Sequence, residues 1–256
     1  MNITSYFSRR NWLRFATCSV PLSMTASPVE RPIPDTFPTQ SPGLVKEMVT
    51  VAHGNFKRVK ELVEERPTLA KAAWDWGFGD WETCLGAASH TGNREIAEYL
   101  IAHGARPTLF SAAMMGQLEV VKAFVLAQPG VQRIEGPHGI SLLAHAKAGG
   151  AKAETVLQYL QELGDAGATP AVPLPDDEKT ALQGIYVFGD GPADRIEVAI
   201  NGGQLMFTRQ GTSGRFLIHN GDHAFHPSGA SAVRIKFAGP VLTVHDPGLV
   251  LTARRQ

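Results

Sequence analysis

The sequence predicts an α+β multidomain chain in which a solenoid of about four stacked helical hairpins precedes a small antiparallel β-barrel or sandwich. Two observations support this prediction. In the middle of the chain, leucines recur seven residues before a glycine, in the pairs Leu85 and Gly92, Leu109 and Gly116, and Leu142 and Gly149. After Gly167 the helical pattern gives way to short runs of alternating polar and apolar residues, which are typical of half-buried strands.

Composition limits the classes of function. The 256 residues are enough for one large or two modest domains. The 24 basic and 24 acidic residues balance, so the global charge does not indicate a nucleic-acid partner. No stretch approaches the ~18 consecutive apolar residues of a transmembrane helix. Cys18 falls in the predicted leader, which leaves Cys84 without an internal disulfide partner and expected as a buried thiol.

The first 27 residues resemble a twin-arginine export signal. The pattern S-R-R-x-F-L-K is matched from Ser8 through Arg9 and Arg10, with Trp12 in place of Phe and Arg14 in place of Lys. The resemblance implies export of a folded protein to the bacterial periplasm or beyond, and the alternative is an unstructured basic tail. Residues 28–42 contain five prolines and are predicted to form a stiff, extended tether.

Residues 43–166 resemble ankyrin (ANK) repeats, whose signature is T-P-L-x-x-A-A-x-x-G followed by an amphipathic helix. Residues 83–88 (TCLGAA) match the first helix, and residues 118–125 (LEVVKAFV) match the second. The resemblance implies a protein- or peptide-binding scaffold in which about three or more repeats must stack to be stable. The spacing from Gly54 to Gly92 is 38 residues against about 33 in the family, so this interval contains an insertion.

The insertion is rich in tryptophan. It holds three of the four tryptophans of the chain, and the predicted partner-binding residues within it are Trp74, Asp75, Trp76, Phe78, Asp80 and Trp81. Tryptophan is a preferred anchor of binding surfaces because it buries a large area with few rotatable bonds. The alternative is that these rings fold back as a lid over the first repeat.

The last third is predicted to be a separate β-domain. Residues 167–178 form a proline-containing linker, and residues 179–256 contain about eight short strands. The segment from Leu182 to Tyr186, the turn ending at Gly203, and the later Phe225 and Phe237 make this part similar to the lipocalin-like β-domain appended to bacterial serine β-lactamase-like hydrolases. That resemblance implies an accessory role and transfers no functional residue.

The predicted function is that of an exported bacterial adaptor that binds a protein or peptide, with no nucleic-acid partner. The sequence contains neither a G-x-S-x-G elbow nor a phosphate-binding glycine loop, so no catalytic residue or cofactor is predicted. No metal is predicted, because the spacing of the β-domain histidines does not require them to converge tetrahedrally. His138 and His145 are expected to be turn and packing residues.

Two alternatives remain open at this stage. One is a metal-dependent or hydrolytic enzyme that uses histidines of the β-domain, with the candidate ligands His219, Asp222, His223, His226, His245 and Asp246. The other is a small-ligand or glycan pocket in the β-domain, among the inward faces of Ile185, Val198 and Phe237.

Overall fold

The computed structural model describes Ile33 and residues 35–256. The twin-arginine pattern with Arg9 and Arg10 and part of the predicted tether lie outside the described residues. The chain divides into two units, Met1–Thr39 and Gln40–Gln256, and the second holds every helix and strand named below.

The first part of the second unit is helical. Its helices are α1 (Pro42–Val51), α2 (Phe56–Glu65), α3 (Cys84–His90), α4 (Arg94–Ala102), α5 (Leu109–Met114), α6 (Leu118–Ala127), α7 (Leu142–Ala148) and α8 (Glu154–Leu163). Thr83, Thr108 and Ser141 begin α3, α5 and α7, because each side-chain oxygen accepts a hydrogen bond from an N–H of the first turn. Within the described residues, no helix combines the length and apolarity that crossing a membrane requires.

The predicted ankyrin solenoid for residues 43–166 is wrong. In a solenoid each repeat contacts only its neighbours, but here α3 packs against both α5 and α7. The reason lies in the recurring glycines. A Cβ on Gly92 would clash with the carbonyl oxygen of Ala148 in α7, so the absence of a side chain allows this approach. The helices therefore close on one another instead of stacking in single file.

An antiparallel hairpin, β1 (Ala73–Asp75) and β2 (Trp81–Thr83), stands between α2 and α3. Gly77, Phe78 and Gly79 all have positive φ in its loop, a backbone conformation that is uncommon for a bulky residue such as Phe78. The Phe78 ring lies 5.8 Å from that of Phe207 in the β-domain. The hairpin thereby joins the helical part to the rest of the unit.

The prediction of an antiparallel barrel or sandwich is confirmed, and the structure shows that it is a barrel. After α9 (Asp176–Leu182), the described chain closes into a barrel in the order β10-β3-β4-β5-β6-β7-β8-β9. The strands are β3 (Gly184–Val187), β4 (Arg195–Asn201), β5 (Gln204–Arg209), β6 (Arg215–Gly221), β7 (Ala224–Pro227), β8 (Arg234–Ala238), β9 (Val241–Asp246) and β10 (Leu249–Arg255). Tyr186, Phe225 and Phe237 pack edge to face and fill part of the interior. The tight turn after Asn201, which connects β4 to β5, forms because Gly202 and Gly203 adopt positive φ without a steric penalty.

Candidate metal centre

Two carboxylates of the hairpin are buried. Side chains alternate along β2, so Glu82 is buried while its neighbours Trp81 and Thr83 are exposed. Glu82 is 0% exposed, and its Oε2 accepts a hydrogen bond of 2.7 Å from Nε1 of Trp76. Asp80 is 3% exposed. Burying a carboxylate is costly unless it is paired, so partners are required.

Three histidines surround Glu82. Nε2 of His90, the last residue of α3, lies 2.9 Å from Oε1. Nε2 of His138 lies 3.3 Å from Oε2, and Nε2 of His53 lies 3.4 Å from the same oxygen. His53 follows the end of α1, and His138 belongs to a 3₁₀ turn, Pro137–Gly139. Three separate segments thus direct the same ring nitrogen at one carboxylate.

His138 is held by Asp80 in a strained conformation. Its φ of 62° lies in the left-handed region, which costs a non-glycine residue free energy. Its backbone N–H donates to Oδ1 of Asp80 at 2.9 Å, and its Nδ1–H donates to Oδ2 at 2.7 Å. Nη1 of Arg215, from β6, also donates to Oδ2 at 2.7 Å. These bonds to one carboxylate stabilise the turn.

The hydrogen bonds made by the Nδ1 atoms determine whether the Nε2 atoms carry a proton or a free lone pair. Nδ1 of His53 lies 3.1 Å from the carbonyl oxygen of Val49, so it must carry the proton, as must Nδ1 of His138 next to Asp80. In the neutral rings, both Nε2 atoms therefore present a lone pair to the Glu82 carboxylate. Such an arrangement needs a proton or a cation between the facing atoms. Histidines that bind metals are oriented in the same way, by a carbonyl or carboxylate at the other nitrogen.

Without a metal the cluster is charge-balanced by protonation. Burial opposes ionisation of Glu82, but hydrogen bonding from His138 and His90 outweighs it and lowers the pKa of Glu82 to about 2. Burial likewise opposes the charge on His138, yet Asp80 and Glu82 raise its pKa to about 9. The pKa of Asp80 is lowered, because His138 and Arg215 outweigh its desolvation. The two anions are then matched by His138 and Arg215.

The donor set suits a transition-metal ion. One donor atom each from His53, Glu82, His90 and His138 lies within 4.8 Å of the others. Donors on one ion, at ~2.0–2.2 Å from it, lie ~3–4 Å apart, so the widest pair must close by about 1 Å. Imidazole with carboxylate fits zinc, iron, nickel or copper. Cys84 is not a ligand: it is buried, and burial raises the pKa of its thiol to about 12.

The centre opens to a cleft of about 370 Å³, which His53, Trp76, His138 and Arg215 line. A second cavity of about 340 Å³ lies at one mouth of the barrel. Trp76, Ser213 and Arg215 line both spaces. A molecule in the barrel mouth would therefore lie beside the side chains that border the histidine cluster.

The structure separates the six predicted partner-binding residues. Trp74, Asp75, Trp76 and Phe78 line the barrel-mouth cavity. Asp80 is buried against His138, and Trp81 is 64% exposed because it lies on the outer face of β2. Trp74 and Trp76 also pack against the core of the first helices.

The histidines of the β-domain do not converge. His219 bonds to the carbonyl oxygen of Val172, His223 pairs with Glu178, and His226 bonds to Asn220. In the part of the chain that the structure describes, His53, Glu82, His90 and His138 are the one group with metal-binding spacing.

The three residues named for a β-domain pocket, Ile185, Val198 and Phe237, do not line the barrel-mouth cavity. Ile185 faces outward at 38% exposure, while Val198 and Phe237 belong to the filled part of the barrel. The cavity is bordered by Ile196, Phe207 and Val244 instead.

No known protein family and no curated protein matches the chain. Sequence reasoning missed His53, Glu82 and His90, because their ligand atoms come from segments with no common motif. A signal was nevertheless present, since Glu82 stands in the Trp-rich insertion and His90 follows it by eight residues.

Proposed function

We propose that this protein binds one divalent transition-metal ion through His53, Glu82, His90 and His138, and that the ion activates a water molecule in the adjoining cleft. The observation that carries the proposal is the convergence of three Nε2 atoms on one buried carboxylate, with Nδ1 of His53 and His138 already committed to acceptors. This departs from the sequence-based expectation of no metal.

Charge explains why the ion would take a further ligand. A divalent ion would replace the proton on Nε2 of His138. The two negative charges of Asp80 and Glu82 would then face the single positive charge of Arg215 and the two of the ion, which leaves one excess positive charge. A hydroxide or a substrate anion would neutralise it. A metal-bound water has a pKa near ~7, which makes hydroxide available at neutral pH.

The remaining residues of the centre orient its ligands. Asp80 fixes the tautomer and the ring plane of His138, and Trp76 fixes the carboxylate of Glu82. The ligands come together only in the folded chain. Export of an already folded protein, which the twin-arginine resemblance implies, would preserve such a centre.

Metal binding is tested by titrating chelator-treated protein with Zn²⁺ and Co²⁺ in a calorimeter. We expect one ion per chain, and the visible spectrum of bound Co²⁺ reports its coordination number. His90→Ala should weaken binding by at least about 100-fold. The matched control is His103→Ala, because among the described residues the exposed His103 side chain hydrogen-bonds only to the carbonyl oxygen of Tyr99 and contacts the Tyr99 ring. Absence of stoichiometric binding would remove the proposal.

Water activation is tested with 4-nitrophenyl acetate. In this reaction water adds to the ester carbonyl, the bond to the nitrophenolate oxygen breaks, and acetate and nitrophenolate are released. Turnover should require added metal and should be lost in His90→Ala but not in His103→Ala. Equal rates in metal-loaded and chelated protein would restrict the function to metal binding.

A second function, binding of a protein or peptide, is favoured by the surface of α6. Val120 and Phe124 are 42% and 43% exposed, and Leu126 is 84% exposed. The test compares capture from a periplasmic extract by the original chain and by a Phe124→Ser, Leu126→Gln variant. Loss of one identified partner with an unchanged melting temperature would support this function, and identical capture would contradict it.

A further inference from the structure

The barrel-mouth cavity has the composition of a ligand site. Its volume of about 340 Å³ lies at the small end of the ~300–1,000 Å³ range of ligand pockets. Its walls are mostly apolar and aromatic, with Trp74, Phe188, Phe207 and Leu251 among them. Three cationic side chains, Lys46, Arg209 and Arg215, border it against one acid, Asp75. An apolar body with an anionic group fits this combination.

Two of these cations already have neighbours. Nζ of Lys46 lies 5.8 Å from the ring centre of Trp74. Arg209 lies over the ring of Phe188, donates Nε–H to the carbonyl oxygen of Ala193, and has Nη2 3.7 Å from Oδ1 of Asp194. Lys46 therefore contributes positive potential at the rim, whereas Asp194 offsets part of the charge of Arg209.

Arg215 is different, because part of its guanidinium has no partner. The side chain is 7% exposed, and Nη1 donates to Asp80. Nε and Nη2 are buried and have no hydrogen-bond partner within the described residues. Burying such N–H groups costs free energy unless an acceptor meets them. Nε and Nη2 form the edge of the guanidinium that binds a carboxylate through two parallel hydrogen bonds.

We infer that the barrel mouth binds a short-chain apolar carboxylate, with its chain against the aromatic wall and its carboxylate on Nε and Nη2 of Arg215. Because both nitrogens are buried, neighbouring side chains must move to let the carboxylate reach them. Nη1 remains on Asp80, so the same guanidinium links the ligand to the carboxylate that orients His138. The inference stands on the cavity and on Arg215 and does not require the metal.

The experiment uses calorimetric titration of the full chain, treated with chelator, with octanoate, octan-1-ol and octylamine. Octanoate should bind with one site per chain, and octan-1-ol about tenfold or more weakly, since it cannot form the charge-assisted pair. Octylamine should bind more weakly still. Because the protein carries no metal in this titration, octanoate binding is measured independently of whether the histidine cluster binds an ion.

Two variants locate the carboxylate. Arg215→Lys keeps a positive charge for Asp80 but removes the free N–H edge, so octanoate affinity should fall about tenfold while octan-1-ol affinity stays the same. The charge-matched control is Arg234→Lys, on an exposed position of β8 outside the cavity, which should leave both affinities unchanged. The inference is overturned by equal affinity for octanoate and octan-1-ol, by no saturable octanoate binding, or by Arg215→Lys binding octanoate like the original chain.

Discussion

Nε1 of Trp76 lies 2.7 Å from Oε2 of Glu82, so the Trp-rich hairpin supplies both the buried carboxylate and a donor that orients it. Trp76 also lines the cleft and the barrel-mouth cavity. One indole therefore borders each space in which we propose that chemistry or binding takes place. Trp81, on the opposite face of the same hairpin, has no such role.

This difference between the two tryptophans is testable. Trp76→Phe keeps an aromatic ring but removes the N–H donated to Glu82, and a hydrogen bond to a charged group contributes about 1.5–3 kcal/mol. Trp81→Phe, at an exposed position, should change stability by less than about 0.5 kcal/mol. Urea unfolding of both variants measures the difference. Equal destabilisation would show that the Trp76 contact with Glu82 is not a stabilising bond.

Because His145 is buried, we expect the free energy of unfolding to fall in acid. His145 is 0% exposed, and its Nδ1 bonds to the carbonyl oxygen of Ser141. Desolvation lowers its pKa from 6.5 to about 4. Between these values the unfolded chain binds more protons than the folded chain, so stability falls as the pH falls. This group alone should account for about 2–3 kcal/mol of that loss.

The measurement is the free energy of unfolding from pH 7 to pH 4. His145→Asn keeps a donor near Ser141 but does not ionise, so its stability should decline less steeply over this window. His103→Asn, at an exposed position, should follow the original chain. Parallel curves for the original chain and His145→Asn would contradict the assignment.

The position of Gly149 leaves no room for a larger side chain. Its φ of −68° is ordinary for any residue, but a Cβ there would clash with the carbonyl oxygen of Met114 and lie 2.6 Å from Cβ of Ala153. Gly149→Ala should therefore cost about 1–3 kcal/mol through overpacking. Gly43→Ala in α1 meets no atom within 4 Å and should be neutral or stabilising by up to about 1 kcal/mol. Thermal unfolding compares the two, and a neutral Gly149→Ala would refute the close approach.

Export is predicted by the sequence alone. In a bacterial host, replacing Arg9 and Arg10 with lysine should keep the protein in the cytoplasm, because the twin-arginine pattern would be lost. Arg14→Lys restores the family pattern and should leave export intact. Cell fractionation measures both. Periplasmic accumulation of the double lysine variant would contradict the signal.

Much of the secondary structure was predictable. The Leu-to-Gly frames correspond to α3, α5 and α7 and the turns that follow them, and alternation in residues 195–200 corresponds to β4. The error lay in how the helices pack. The motif places Gly92 in the turn after α3, but it does not show that the backbone of Gly92 approaches α7 closely.

The sequence by itself determined the helix starts, the strand alternation and the antiparallel hairpins, because capping, period and turn chemistry act over a few residues. Whether the strands close into a barrel or form a sandwich was decided only by the tertiary structure. Only the tertiary structure decided the site. His138 is 58 residues from Asp80 in the sequence, and Arg215 lies a further 77 residues beyond His138. His138 and Arg215 nevertheless both contact the carboxylate of Asp80. These contacts form because the packed chain buries the Asp80 carboxylate, which then requires polar partners. Burial is a property of the packed chain and cannot be deduced from a local motif.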